Sequence, residues 1–232
     1  MLYFVLLSIL VLSNCTKWQF NTKELIKPST INQKLYTNVL KNPNTQLIIV
    51  SGPAGSGKTL FASQEAIKEL YVGSCDKIIL TRPIGTCNNE HGYLPGDTNQ
   101  KMTVWSRPVL EFCKKLTSPS IVDKLQQDKQ IELVPYSQLL GRTFDNSFVI
   151  ADEVQLSSLE QMKLLLTRIG KNTKMCVIGD IKQTTNSENG LSDLIDRLHT
   201  SCYNTSLISY VYLTEQDIQR SDVVKEIIKL YN

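Results

Sequence analysis

Histidine is scarce: His91 and His199 are the two in 232 residues, and none of the six cysteines forms a C-x-x-C pair. Zinc sites and redox dithiols need such residues at short, regular spacings, so neither chemistry has a framework here. The cysteines stand at 15, 75, 87, 113, 176 and 202. Most lie in or beside apolar runs and read as reduced, structural thiols, which suits a reducing compartment. Strong charge is also missing, with a formal net charge of +3. Residues 1–51 carry five lysines and one glutamate, while the remainder is close to neutral. Bulk charge therefore gives no argument for nucleic-acid binding. Internal repeats, low-complexity tracts and dividing linkers are absent too. The length suits one large domain, and we read residues 29–232 as that domain behind a leader and basic linker at 1–28.

The leader itself lacks charge. Met1 to Thr16 has no charged side chain, and Leu2–Leu12 is apolar except for Ser8. A secretory signal carries a basic start and small residues at its cleavage site, and neither is present. The run is also shorter than the ~20 residues that span a bilayer. An upstream start, a weak membrane anchor and a signal peptide all stay open, and the expected location is cytoplasmic.

What the chain does have is regular alternation. Gln46–Ser51, Lys77–Thr81, Ile131–Val134, Ser147–Ala151, Lys174–Gly179 and Leu207–Leu213 read as strands. Between and around them, helices are predicted over Thr30–Leu40, Leu60–Tyr71, Met102–Leu116, from Ser118-Pro119 onward, from Ser157, over Leu191–Leu198 and over Ser221–Tyr231. Alternation of this kind implies an α/β fold, a parallel sheet with helices on both faces. In the first helix Ile31, Leu35 and Val39 form the expected apolar stripe. In the fifth, Ser157 and Glu160 read as a capping box and Gly170 as the stop. Residues 84–101 read as a long irregular loop.

Residues 52–59, Gly-Pro-Ala-Gly-Ser-Gly-Lys-Thr, match the phosphate-binding pattern G-x-x-x-x-G-K-[ST] between a strand and a helix, the context the pattern needs. Gly52, Pro53, Ala54, Gly55, Ser56 and Gly57 would wrap phosphates with backbone N–H groups. Lys58 would neutralise the β- and γ-phosphates, and Thr59 would ligate Mg²⁺. A second apolar strand ends in Asp152-Glu153, at the sheet edge where ligands bind in open α/β folds. Asp152 would hold Mg²⁺ through its water shell, and Glu153 would polarise the attacking water. A third strand ends in Gly179-Asp180 with Gln183 beyond it. There the acid could orient water and the amide could sense the γ-phosphate.

In the order GPAGSGKT, ILTRP, GYLPGD, GRTFDNSFVIADE, LTRIG and GDIKQ, the chain resembles PhoH-like proteins from about Ser29 to its end. These are P-loop NTPases whose fold is similar to the first RecA-like domain of superfamily 1 helicases. The resemblance implies ATP and Mg²⁺ as ligands, and hydrolysis coupled to RNA or single-stranded DNA. It implies that Gln33 reads adenine through its amide and that Thr81-Arg82 touches nucleic-acid backbone. It also implies that Arg220 reaches a γ-phosphate, either its own or a neighbouring subunit's. Ala151, where a bulkier aliphatic residue is usual, the loop around Cys87-Asn-Asn-Glu-His91 and the Thr-Thr-Asn after Gln183 depart from the pattern. Mechanical work by one such core would require a homo-oligomer or a partner supplying a second RecA-like surface. The expected activity is ATP hydrolysis, with helicase-like work as an extension. A nucleic-acid-binding module switched by ATP and a small-molecule phosphotransferase are the alternatives.

Overall fold

The computed structural model describes residues 18–83, 98–183, 189–200, 205–219 and 223. Within them six strands form one sheet: β1 (Leu47–Ser51), β2 (Lys77–Thr81), β3 (Ile131–Leu133), β4 (Ser147–Ala151), β5 (Lys174–Gly179) and β6 (Ile208–Tyr212). Their order is β3-β2-β4-β5-β1-β6, and every pairing is parallel. The helices are α1 (Ile31–Lys41), α2 (Lys58–Val72), α3 (Thr98–Leu116), α4 (Pro119–Gln127), α5 (Leu159–Leu166) and α6 (Gly190–Thr200). None of them is long and apolar enough to cross a membrane.

Strands β1, β4 and β5 are buried at every position. That is why they read as continuous apolar runs rather than alternating ones. Alternate side chains still sort to opposite faces. Ile48, Val50, Phe148, Ile150, Cys176 and Ile178 join the core that includes Phe61, Ile67 and Leu116. Leu47, Ile49, Val149, Met175 and Val177 join a second core with Met162, Leu165, Leu191 and Ile195. The described cysteines 75, 113 and 176 are free and buried, and burial pushes each thiol up to about 12, so they are inert packing groups.

The register lines up the strand ends that matter. Ser51 stands opposite Gly179, Ala151 opposite Val177, and Thr81 opposite Ala151. One edge of the sheet therefore gathers the loop after β1, the acids after β4 and the turn after β5.

Four local expectations are corrected. The buried face of α1 is Gln33, Tyr36, Thr37 and Leu40, whereas Ile31 is 81% and Leu35 53% exposed. Hydrogen bonds made by Gln33 and Tyr36 beneath the phosphate-type loop select that face over the more apolar one. The cap of α5 is Ser158 with Gln161, not Ser157 with Glu160, because the Ser157 hydroxyl is already spent on the Val154 carbonyl at 2.5 Å. The helix ends at Leu166, and Gly170 serves elsewhere: a Cβ there would lie 2.2 Å from Asp145 Oδ1. Helix α3 also begins four residues before its predicted start, at Thr98. The leader, residues 84–97 of the long loop and the predicted helix Ser221–Tyr231 lie outside the described residues, apart from position 223.

Candidate active site

Residues 52–57 leave β1 and open α2, so the first turn of that helix faces the sheet edge. Gly57, at the N-cap of α2, holds φ 95°, and a Cβ on it would meet the Phe61 ring at 2.8 Å. Glycine is therefore required by both conformation and space. The first N–H groups of α2 have no partner inside the helix, which makes this terminus an anion site. Lys58 Nζ donates to the carbonyls of Gly52 at 2.6 Å and Pro53 at 2.8 Å. From below, the Tyr36 hydroxyl donates to Lys58 O at 3.0 Å and contacts Cys176 Sγ at 3.2 Å.

Across from the loop, Thr59 Oγ1 donates to the Asp152 carboxylate, 3.2 Å from Oδ1 and 3.1 Å from Oδ2. Asp152 Oδ1 also accepts from Glu153 N at 3.0 Å, and Asp152 N donates to Thr81 O at 3.0 Å, extending the β2–β4 ladder. Glu153 is left-handed, at φ 55°. Lys58, Thr59, Asp152, Glu153, Asp180 and Gln183 all line one cleft of about 260 Å³, with Ala54, Gly55, Gly57, Leu60 and Gly179. A larger groove of about 490 Å³ lies at the opposite end of the sheet. Its buried Lys174 is already satisfied by Leu40 O at 2.6 Å and Glu69 Oε1 at 2.5 Å. Convergent chemistry, not size, identifies the cleft.

Gln155 is the residue that sequence reasoning missed. It is buried, and its Nε2 donates to Glu153 Oε2 at 2.5 Å. Its Oε1 accepts from Asp180 N at 3.2 Å, and its backbone carbonyl accepts from Asn189 Nδ2. One side chain thus ties the acid after β4 to the turn after β5. No periodicity marks it. The available signal was its place two residues beyond Glu153 in a turn that returns towards β5.

The electrostatics favour a cation beside the loop. Burial pushes the Asp152 carboxyl up, repulsion from Glu153 adds to this, and the Thr59 hydroxyl, the Glu153 N–H and the Arg82 charge offset part of it. Burial lowers Lys58, while Asp180, Asp152 and Glu153 oppose that shift. Three acids thus surround one lysine. Among the described residues no group of three or more His, Cys, Asp or Glu side chains could hold a metal alone. One carboxylate plus one hydroxyl is nevertheless the protein share normal for Mg²⁺, which keeps water and takes phosphate oxygens. Thr59 and Asp152 fit that ion.

The other candidates are placed as follows. Gln33 is 1% exposed. Its Nε2 donates to Ser56 O at 3.1 Å and Asp217 O at 3.0 Å, and its Oε1 accepts from Ser29 N and Oγ, both at 3.0 Å. Reading adenine would require some of these bonds to be exchanged. Asp217 is a second hub, accepting from Thr30 Oγ1, from Asn32 Nδ2 at 2.9 Å and from Thr214 N at 2.6 Å. The chain then reaches the loop, where Gln219 N donates to Gly55 O at 3.1 Å. Arg220 lies outside the described residues. Thr81 ends β2, buried, and Arg82 follows with its guanidinium carbon 5.4 Å from the Trp105 ring centroid.

The PhoH-like protein family model matches residues 25–232. A PhoH-like protein of Synechocystis sp. is 33% identical over 208 residues, covering 90% of this chain and 62% of that protein. A PhoH-like protein of Mycobacterium tuberculosis is 34% identical over 209 residues, covering 89% and 58%. The chain thus spans about three fifths of these curated relatives. Among solved structures, the large terminase of a thermophilic bacteriophage aligns with a TM-score of 0.52 at 14% identity, covering 91% of this chain and 50% of that one. That is a likeness of fold. With a six-stranded parallel sheet, a phosphate-type loop and two acidic strand ends around one cleft, the chain has a RecA-like α/β P-loop fold, of the nucleotide-binding ATPase type, and belongs to the PhoH-like family.

Proposed function

We propose that the protein binds ATP with Mg²⁺ and hydrolyses it, and that RNA or single-stranded DNA governs the turnover. The observation that carries the reading is the meeting of Glu153 with Lys58, Thr59 and Asp152 in one cleft. The backbone of residues 52–59 and the start of α2 hold the phosphates. Lys58 exchanges its two carbonyl partners for phosphate oxygens and neutralises charge that builds up on the transferred group. Thr59 and Asp152 hold Mg²⁺, which when bound polarises the phosphate oxygens. Glu153 orients the attacking water and receives its proton, while Gln155 fixes the carboxylate. Asp180 and Gln183 line the far wall, where they sense whether a γ-phosphate is present. Gln33 and Arg220 are proposed, on the family resemblance, for the adenine and the γ-phosphate. A phosphotransferase would put a substrate hydroxyl beside Glu153 in place of the water, and an acid directly after Asp152 favours water as the acceptor.

The test is release of phosphate from radiolabelled ATP. Glu153→Gln should lower kcat by about 10²–10⁴-fold and leave nucleotide binding near wild type. Wild-type turnover in that variant, or label appearing on an acceptor rather than as free phosphate, would refute the assignment.

A further inference from the structure

The bonds of Gln33 do not suit the role that the family resemblance gives it. A side-chain amide offers two N–H donors and an oxygen with two lone pairs, four bonds in all. In Gln33 all four are made inside the protein. Its Nε2 donates to Ser56 O at 3.1 Å and Asp217 O at 3.0 Å, and its Oε1 accepts from Ser29 N and Oγ, both at 3.0 Å. Adenine shows an acceptor, N7, beside a donor, the N6 amino group. To read that pair, Gln33 would give up one bond for each bond gained, and a buried partner would be left unpaired. Selectivity arises when the wrong ligand leaves buried polar groups unpaired. Here the right ligand would unpair them too, so the exchange tells one base from another poorly. The neighbouring amide is also engaged, since Asn32 Nδ2 donates to Asp217 Oδ2 at 2.9 Å. Loop backbone, Lys58, Thr59, Leu60, three acids and Gln183 make up the described lining of the cleft. That is phosphate and magnesium chemistry, without an aromatic ring.

What the four bonds accomplish is mechanical. They join three segments at one point: the entry to α1 at Ser29, the phosphate-type loop at Ser56 and the turn after β6 at Asp217. Ser56 directly precedes Gly57, the N-cap of α2. The same turn holds the loop a second time, through Gln219 N and Gly55 O at 3.1 Å. We propose that Gln33 positions the loop and does not select the base, so that the site takes purine and pyrimidine nucleoside triphosphates alike. The proposal rests on the nucleotide-binding reading above, and it replaces the adenine role of Gln33 with one drawn from the residue's own bonds.

The two roles part in calorimetric titration of the full chain, in Mg²⁺, with ADP, GDP, CDP, UDP and inorganic pyrophosphate, which has no base. The four nucleotides should bind within about 5-fold of one another, the least that one bidentate base contact discriminates. Gln33→Ala should weaken all four and pyrophosphate by one common factor of about 10, since a loosened loop grips every phosphate less well. Gln33→Glu keeps the shape but turns an oxygen towards the Ser56 and Asp217 carbonyls, and should weaken them at least as much. A lead for ADP beyond about 5-fold in the wild type would overturn the proposal. So would pyrophosphate binding undiminished in Gln33→Ala, which would return the residue to the adenine. The wild-type series decides the base question even where Gln33→Ala does not fold. Equal binding of the four without phosphate release from ATP would remove the hydrolysis and keep the proposal. Binding of none of the five would overturn both.

Discussion

Glu153 is held at φ 55°, a left-handed conformation that side chains other than glycine rarely adopt. Strain of this kind survives when neighbours fix the geometry, and here Gln155 and the Asp152 carboxylate do so. Gln155 therefore acts as a positioning residue for both Glu153 and Asp180. Gln155→Ala should lower kcat by about 10- to 100-fold with KM changed much less, because misaiming the proposed base harms the reaction more than binding. Steady-state phosphate release measures both constants, and a proportional rise in KM at constant kcat would contradict it. The loop at 52–59, Asp152 and Glu153 were legible in the sequence because backbone geometry and charge at a strand end are local demands. Gln155 was not, since its partner Asp180 is supplied by another strand.

At the scale of elements, strands β1, β4 and β5 could be read from composition, because burial on both faces demands unbroken apolar runs. Helix α1 could be read as a helix but not for its orientation. Its inner face contains a glutamine and a tyrosine whose partners lie under the loop, and these outweigh the apolar Ile31 and Leu35. Leu35→Lys should therefore change stability by less than about 0.5 kcal/mol, while Leu40→Ala should cost about 2–5 kcal/mol. Urea denaturation of the two variants decides the orientation. The turn at Asp217 ties α1 to the segment after β6. Burial would raise this carboxyl, but hydrogen bonds from Thr30, Asn32 and Thr214 outweigh it and hold the group below the usual carboxylate range. Its contribution to stability is thus complete above the unfolded value of ~3.9 and is lost as pH falls through the lower folded value. Hydrogen exchange at Thr214 and Asp217 should speed up across that acid window, and Asp217→Asn should flatten the dependence.

For the whole molecule, the cleft is a cost carried by an otherwise well-packed sheet. The carboxyl of Asp152 is pushed up by burial and by Glu153, so its charged form is disfavoured in the fold. The deficit builds as pH rises through the unfolded value and is fully present above the folded one. Asp152→Asn should raise the melting temperature of the nucleotide-free protein by roughly 2 °C. Wild type should gain about 2.7 kcal/mol when Mg²⁺ and ADP are supplied at a hundred times the dissociation constant, and the variant much less. Thermal melts with and without magnesium and ADP test both statements. The alternation of strands and helices made the parallel sheet legible from the residues alone. The strand order was not legible, because nothing local in β1 says that its neighbours are β5 and β6.

That order has a consequence for synthesis of the chain. The strand that leads into the phosphate-type loop is the first of the six to be made, yet the two strands that flank it are the last. Gly52 packs so closely on Leu213 that an added Cβ would lie 2.3 Å from its carbonyl oxygen, so the loop takes its final shape against a residue made after all six strands. On the ribosome, β2, β3 and β4 can pair while β1 still waits with both edges open. Nucleotide cannot be gripped by a half-made chain, and an arrested product ending before β6 would expose an apolar strand edge for aggregation or for capture by chaperones.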